Sequence, residues 1–290
     1  MTAVIDAPAL LPEPKTARRE RHGIIAGLGV VDLLAILFVV LLLIATVAPW
    51  LLTPYDPLEP DEANVLAPPS WLHPFGTDYL GRDLLSRIVY GTSRTFFGSA
   101  VAVLIGLGGG MLLGLLAATL GGVVDTVISR LVDVLLSIPG LLLAMVVVVS
   151  LGFGTLNAAI AVGVSTVAMF TRLMRSEVLT IKGLPFVEAS HHLGASRASV
   201  LARHVLPNST AAVLSLTALQ FGNAILWISA LSFLGYGAPP PQPEWGLLVA
   251  EGRDYMVSSP WLVLIPGIVI TVTVISISRI SQIVKARIAR

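Results

Sequence analysis

Long uncharged stretches dominate this chain and restrict how it can fold. One follows Asp32 and covers residues 33–52, and another separates Arg94 from Asp125. A third lies between Asp133 and Arg172, a fourth runs from Val205 to Pro243, and the last covers 261–278. A helix rises 1.5 Å per residue, so about 20 apolar residues cross a hydrocarbon layer about 30 Å thick. The third stretch is too long for one crossing. Gly152-Phe153-Gly154 sits near its middle and reads as a tight hairpin between two helices. The pattern predicts an all-α polytopic transmembrane bundle of six spans.

Composition agrees. Of 290 residues, 55% are hydrophobic and 12% charged, whereas soluble domains carry roughly 25% charged residues. A soluble enzyme, a disordered chain and a nucleic-acid binder are excluded on that basis. The net charge of +1 gives no overall field for polyanions. Zero cysteines exclude disulfides, iron–sulfur clusters, thiolate zinc sites and cysteine nucleophiles.

Basic residues fix the expected orientation, because Lys and Arg are retained on the cytoplasmic side. With the N-terminus inside, 14 of the 18 Lys and Arg residues fall in cytoplasmic segments. Arg82, Arg87, Arg94 and Arg253 fall outside. The expected segments are a cytoplasmic tail over 1–29, a first span over 30–52 and an extracytoplasmic loop over 53–94. A five-helix core over 95–278 follows, with a cytoplasmic loop at 177–206 and an outer loop at 232–260. A basic cytoplasmic tail over 279–290 ends the chain. The tail near Arg18–Arg21 suits contact with anionic lipid. The first apolar stretch reads as an uncleaved span rather than a secretory signal. It begins about 30 residues into the chain and shows no small-x-small site before Pro49.

Reactive chemistry is hard to find. Ionisable groups inside a bundle mark ion-coupled carriers, yet every Asp, Glu, Lys and Arg is expected at an edge or in a loop. Asp32, Asp125 and Asp133 come nearest the core, each at an inner boundary. His191 and His192 are adjacent and diverge by about 100° on a helix, so they make a poor chelating pair. His22, His73 and His204 stand alone. No His-Glu-x-x-His, Gly-x-Ser-x-Gly or Gly-x-x-x-x-Gly-Lys pattern occurs. Gly106, Gly110 and Gly114 repeat every four residues, which lets a neighbouring helix approach closely.

The cytoplasmic loop is the most informative segment. Pro185 suits the first position of a helix, where its missing N–H would be unpaired anyway. Glu188 then meets the positive end of the helix dipole. Ala189 and Ser190 are small, and Gly194 can end the helix at φ > 0. Leu206-Pro207-Asn208 leads into the next span. These residues predict a short, small-faced helix on a stiff mount.

This loop resembles that of the inner-membrane permease subunits of binding-protein-dependent ABC importers, whose signature reads Glu-Ala-Ala-x-x-x-Gly, nine residues, then Ile-x-Leu-Pro. Glu188, Ala189, Gly194, Leu206 and Pro207 match in identity and spacing, Ser190 replaces the second alanine and His204 takes the isoleucine position. Arg203-His204-Val205-Leu206-Pro207-Asn208 resembles the peptide and nickel branch. His73-Pro74-Phe75-Gly76-Thr77-Asp78-Tyr79-Leu80-Gly81-Arg82-Asp83 and Ser232-Phe233-Leu234-Gly235-Tyr236-Gly237 resemble outer segments of the second permease of di- and oligopeptide importers. So does the later stretch around Trp245-Gly246 and Glu251-Gly252-Arg253. The basic end of this chain departs from the acidic tail common in that branch.

The resemblance implies a type I importer permease fold, non-catalytic, forming half of a pore in the bacterial inner membrane. Its implied partners are a second six-span permease, two ATP-binding subunits, an extracytoplasmic solute-binding protein and membrane lipid, with no nucleic acid. Cofactors are none in this chain, with ATP and Mg held by the partner subunits. Glu188, Ala189, Ser190, Gly194, Leu206 and Pro207 would form the ATPase-coupling loop. Asp78, Arg82 and Asp83 would serve either as binding-protein contacts or as ion pairs that hold the loop. Two rival functions are an ATP-independent secondary carrier and a nonconducting membrane scaffold.

Overall fold

The computed structural model describes residues 29–288. Residues 1–28 of the expected tail over 1–29, with Lys15, Arg18, Arg19, Arg21 and His22, lie outside the described residues, as does Arg290. Helix α1 spans Val30–Val47 and starts where the Asp32 carboxylate accepts from the Gly29 N–H at 3.1 Å. Helix α2 spans Leu84–Leu120, with Asp83 as its N-cap accepting from the Ser86 N–H. It therefore begins ahead of the expected start at residue 95. Arg87 and Arg94, expected in the loop over 53–94, fall within its first turns.

Helices α3 (Gly122–Ser137) and α4 (Gly140–Leu151) form a pair bent by 97°. Pro139 causes the break: the residue before a proline is pushed out of the helical region, and Ile138 is extended at φ −92°, ψ 131°. The hairpin at Gly152–Gly154 follows, with φ of 93° at Gly152 and 132° at Gly154. Helix α5 then spans Thr155–Lys182. Next come α6 (Pro185–His192), α7 (Arg197–Val200), a π-helical turn Leu201–Val205 and α8 (Leu206–Phe233). Finally α9 covers Trp245–Gly252 and α10 Trp261–Ile288. The last helix thus continues past the expected boundary at 278.

Five helices are long and apolar enough to cross a membrane, with the α3–α4 pair as a sixth if it counts as one span. Alone, the 12 residues of α4 would reach about 18 Å, short of a crossing. Two ion pairs join the helix ends. Asp32 and Arg279 join α1 to α10 at 2.8 Å, and Arg172 meets Asp133 at 2.7 Å.

The frame of the bundle is the contact of α2 with α5. A Cβ built on Gly110 would lie 2.2 Å from the Phe170 Cβ and 2.9 Å from the Thr171 backbone nitrogen. At Gly114 it would meet the Thr171 carbonyl oxygen at 2.6 Å. Gly163 on α5 answers in kind, with Ile105 and the Ala102 carbonyl oxygen against it. Dispersion contacts hold helices together in lipid, where no water is released by their meeting, so backbone proximity is what such a stripe secures. Lys182 completes the seam by donating to the Ala118 carbonyl oxygen at 2.9 Å, near the negative end of α2.

This packing generates a paired prediction. Gly110→Ala should lower stability by about 1–3 kcal/mol through overpacking, seen as a lower thermal unfolding midpoint in detergent. Gly108 has nothing within 4 Å of a built Cβ, so Gly108→Ala should be neutral or stabilising. Equal losses from both would refute the role of the stripe.

Candidate functional site

At one end of the bundle, α6 is held by one buried side chain. Val187 is 1% exposed and packs with Val178, Ile181, Val200 and Val205. The opposite face presents Glu188 and Ala189, with Ser190 half-buried. The Ser190 hydroxyl donates to the Phe186 carbonyl at 2.8 Å, so it is absorbed by its own helix and leaves a small face. Gly194 takes φ 86°, and the Ala195 N–H returns to the Ser190 carbonyl at 3.1 Å, closing the helix end. Leu193 is 88% exposed immediately before that turn. Sequence reasoning passed over Leu193, although its position beside the helix-ending glycine was visible.

The mount is continuous with α8. Pro207 has no N–H to give, and a proline ring crowds the carbonyl four residues back. The π turn widens the backbone there, with the Leu206 N–H bonding to the Leu201 carbonyl. Side chains bind the carbonyls of this turn: Asn208 donates to His204 at 2.6 Å and Ser209 to Val205 at 2.8 Å. The His204 ring meets Phe186 edge-on at 5.9 Å and fastens α6 to the turn. Leu206 packs against the same apolar cluster as Val187, and Pro207 is exposed. A cavity of ≈ 460 Å³ separates this assembly from Thr119 and Lys182 at the ends of α2 and α5.

The opposite end is braced by buried charge. Asp78 pairs through Oδ2 with Arg82 at 2.7 Å and Arg87 at 2.5 Å. Its Oδ1 accepts from the Leu80 and Arg82 backbone N–H groups. Arg87 also donates to Glu251 on α9 at 3.0 Å. Tyr79 donates to Glu251 at 3.3 Å and stacks on Tyr255 at 5.7 Å. Asp83 meets His73 at 3.0 Å while capping α2 through Ser86. Asp78, Arg82 and Asp83 are all buried, and each is engaged within the chain. Burial raises the Glu251 pKa above the usual carboxylate range, with Arg87 and Arg82 opposing that rise. Burial raises the Tyr79 pKa too.

Helix α9 is wedged below this network. Trp245 is fully buried and its indole N–H donates to the Ile88 carbonyl at 3.0 Å. A Cβ on Gly246 would fall 2.2 Å from the Ser229 carbonyl oxygen, so only glycine lets α9 lie on α8.

The molecule is therefore a helical bundle with an exposed short helix at one end and a charge-braced cap at the other. The profile of the family described as "Binding-protein-dependent transport system inner membrane component" matches residues 110–290. The chain belongs to this family and is a permease subunit. A di/tripeptide transport system permease protein of Pseudomonas aeruginosa is 40% identical over 84% of this chain and 82% of its own. A probable D,D-dipeptide transport system permease protein of Escherichia coli is 38% identical over 83% and 80%. A glutathione transport system permease protein of Pectobacterium atrosepticum is 38% identical over 89% and 83%. An inward-facing MetNI methionine ABC transporter structure superposes with a TM-score of 0.57 at 17% identity, over 70% of this chain and 96% of that one, which supports the fold.

The ion network makes a pH-dependent prediction. A raised folded-state pKa at Glu251 means that the folded state holds the proton more tightly than the unfolded state. The stabilising contribution is present below the ordinary Glu pKa and is lost as pH rises through the raised value. Thermal unfolding across a pH series should therefore show wild type gaining on Glu251→Gln as pH falls. The opposite slope would mean that ion pairing outweighs burial. Asp78→Ala removes the carboxylate shared by two buried guanidiniums, leaving Glu251 to serve both, and should cost about 3–5 kcal/mol, measured in the same assay.

Proposed function

We propose that this chain is the second permease of an ATP-driven importer for short peptides, and that α6 is the element through which a partner ATPase moves it. The observation that carries the reading is α6 itself: an exposed face with Glu188 and the small Ala189 on it, pinned by Val187, followed by the exposed Leu193 and joined through the π turn to α8. Support for the solute class comes from the relatives, whose names specify dipeptides, di- and tripeptides and glutathione.

In this reading the α6 end and both termini face the cytoplasm, as the distribution of Lys and Arg favours. Two ATP-binding subunits hold nucleotide and Mg, and this chain is non-catalytic. A second six-span permease supplies the other half of the pathway, and an extracytoplasmic binding protein delivers solute to the α9 end. There Trp71 and Val257 are fully exposed, an apolar surface suited to that contact, while Asp78, Arg82 and Asp83 hold the cap beneath it. Nucleotide drives reorientation only through a difference in ATPase affinity between inward and outward states.

Gly194 tests the coupling role. A Cβ there meets open space, so substitution acts through backbone strain rather than collision. Val resists φ > 0 strongly, whereas Asn tolerates it. Gly194→Val should lower binding-protein-stimulated peptide uptake by about tenfold in an assembled complex, and Gly194→Asn should retain most of it. Wild-type uptake by an assembled Gly194→Val complex, or failure of Ala189 to cross-link to an ATPase subunit, would overturn the assignment.

A further inference from the structure

The α9 end carries a cation that the ion network does not use. Arg94 lies half-buried on α2 beside a cavity of ≈ 470 Å³, lined also by Phe97, Phe153, Thr155, Asn157 and Gln242. Its Nη2 donates to the Gln242 Oε1 at 2.5 Å. No carboxylate among the described residues pairs with it, although Arg82, Arg87 and Arg253 at the same end all have acidic partners. The guanidinium atoms sealed from solvent without a partner belong to Arg82 and Arg87, not to Arg94. Its free donors therefore face accessible space.

The surrounding wall suits a small solute with a carboxylate on an apolar or amide body. Phe97 is 59% exposed and Phe153 67% exposed, giving two apolar flanks. Asn157 donates to the Leu151 carbonyl at 3.2 Å and keeps its amide oxygen. No acidic side chain lines the cavity. Glu244 touches the wall from behind, fully buried, its Oε2 taken up by the Ala238 N–H at 2.9 Å and the Thr155 hydroxyl at 3.2 Å. A volume near 470 Å³ falls within the range of about 300–1,000 Å³ usual for small-ligand sites.

We propose that this cavity is a transit subsite for the α-carboxylate of a peptide solute, with Arg94 as the carboxylate-binding residue, an inference that rests on the peptide-importer reading. A guanidinium offers a planar fork that matches a carboxylate with two parallel hydrogen bonds. Gln242 holds the fork from one side and leaves the rest open. The α-carboxylate is the group that unmodified peptides share whatever their side chains, so one fixed cation serves many sequences. The apolar flanks and amides then contact the variable part without demanding one side chain.

The test uses the purified permease–ATPase complex in nanodiscs without binding protein. A dipeptide carrying benzoylphenylalanine is photocross-linked and its labelled sites are mapped by mass spectrometry. Labelling near Phe97, Phe153 and Pro239 should be competed by Ala-Phe about tenfold better than by Ala-Phe amide. Arg94→Gln should erase that preference, and Arg94→Lys should keep part of it. Equal competition by acid and amide in wild type, which does not depend on any variant folding, would overturn the proposal. So would labelling displaced by phosphatidylglycerol in the nanodisc but not by peptide, which would assign the cation to a lipid phosphate. ATPase stimulation by peptide-loaded binding protein, measured on the same preparation, separates the two failures. Its absence rejects the importer reading, and its presence with no response at Arg94 rejects the subsite alone.

Discussion

The seam between α2 and α5 joins the two ends of the protein. Glycines on both helices remove the side chains that would otherwise hold the backbones apart, and the contact is closed from each side. Because helix association in lipid rests on packing rather than on release of water, this seam is stiff as long as its small residues are kept. At one end α2 carries Arg87 and Arg94, and at the other its last carbonyls take the Lys182 ammonium. The cap and the mount of α6 are therefore built on the same pair of rods.

The two ends use opposite physics. The cap holds Asp78, Arg82 and Arg87 nearly dry, and charges so placed need every partner they have. Arg82 Nη2 and Arg87 Nε remain without hydrogen-bond partners, so the network fixes geometry more than it adds stability. Around α6 the binding is apolar and light: Val187 inserts, and the facing helix surface stays open. Exposed pairs such as Arg172–Asp133 contribute little in water. The cap is thus held by buried charge and α6 by apolar contact.

Much of this was legible in the residues. Apolar runs gave the spans, the four-residue glycine spacing gave the seam, and Gly194 gave the end of α6. Each of these signals is read from one continuous stretch of chain. The misses have a shared cause. Arg87 lies deep in the cap because α2 starts at Asp83, where a polar segment hides the helix from any search for apolar runs. Glu251 meets Arg87 across a large sequence separation, and no local pattern announces that pairing. The π turn answers Pro207 by widening the backbone, a response that depends on how α6 and α7 are seated. The sequence also suggested two full limbs around the hairpin, whereas Pro139 cuts the first one short.

A displacement of α6 has a continuous route through the molecule. His204 and Phe186 fasten it to the π turn, and the π turn runs without a break into α8. Near its far end, α8 bears on α9 through Ser229 and Gly246 with no side chain between the backbones. Helix α9 in turn holds Glu251 against Arg87, and its N-cap Glu244 backs the cavity beside Arg94. Along this route the polar groups of mid-α8 are neutral amides, Asn223 donating to Gln220 at 2.8 Å and Gln220 to the Met169 sulfur at 2.7 Å. Neutral amides neither fix a solute by charge nor store a proton. At the end opposite the cap, α6 combines an exposed face with a continuous connection through the π turn into α8.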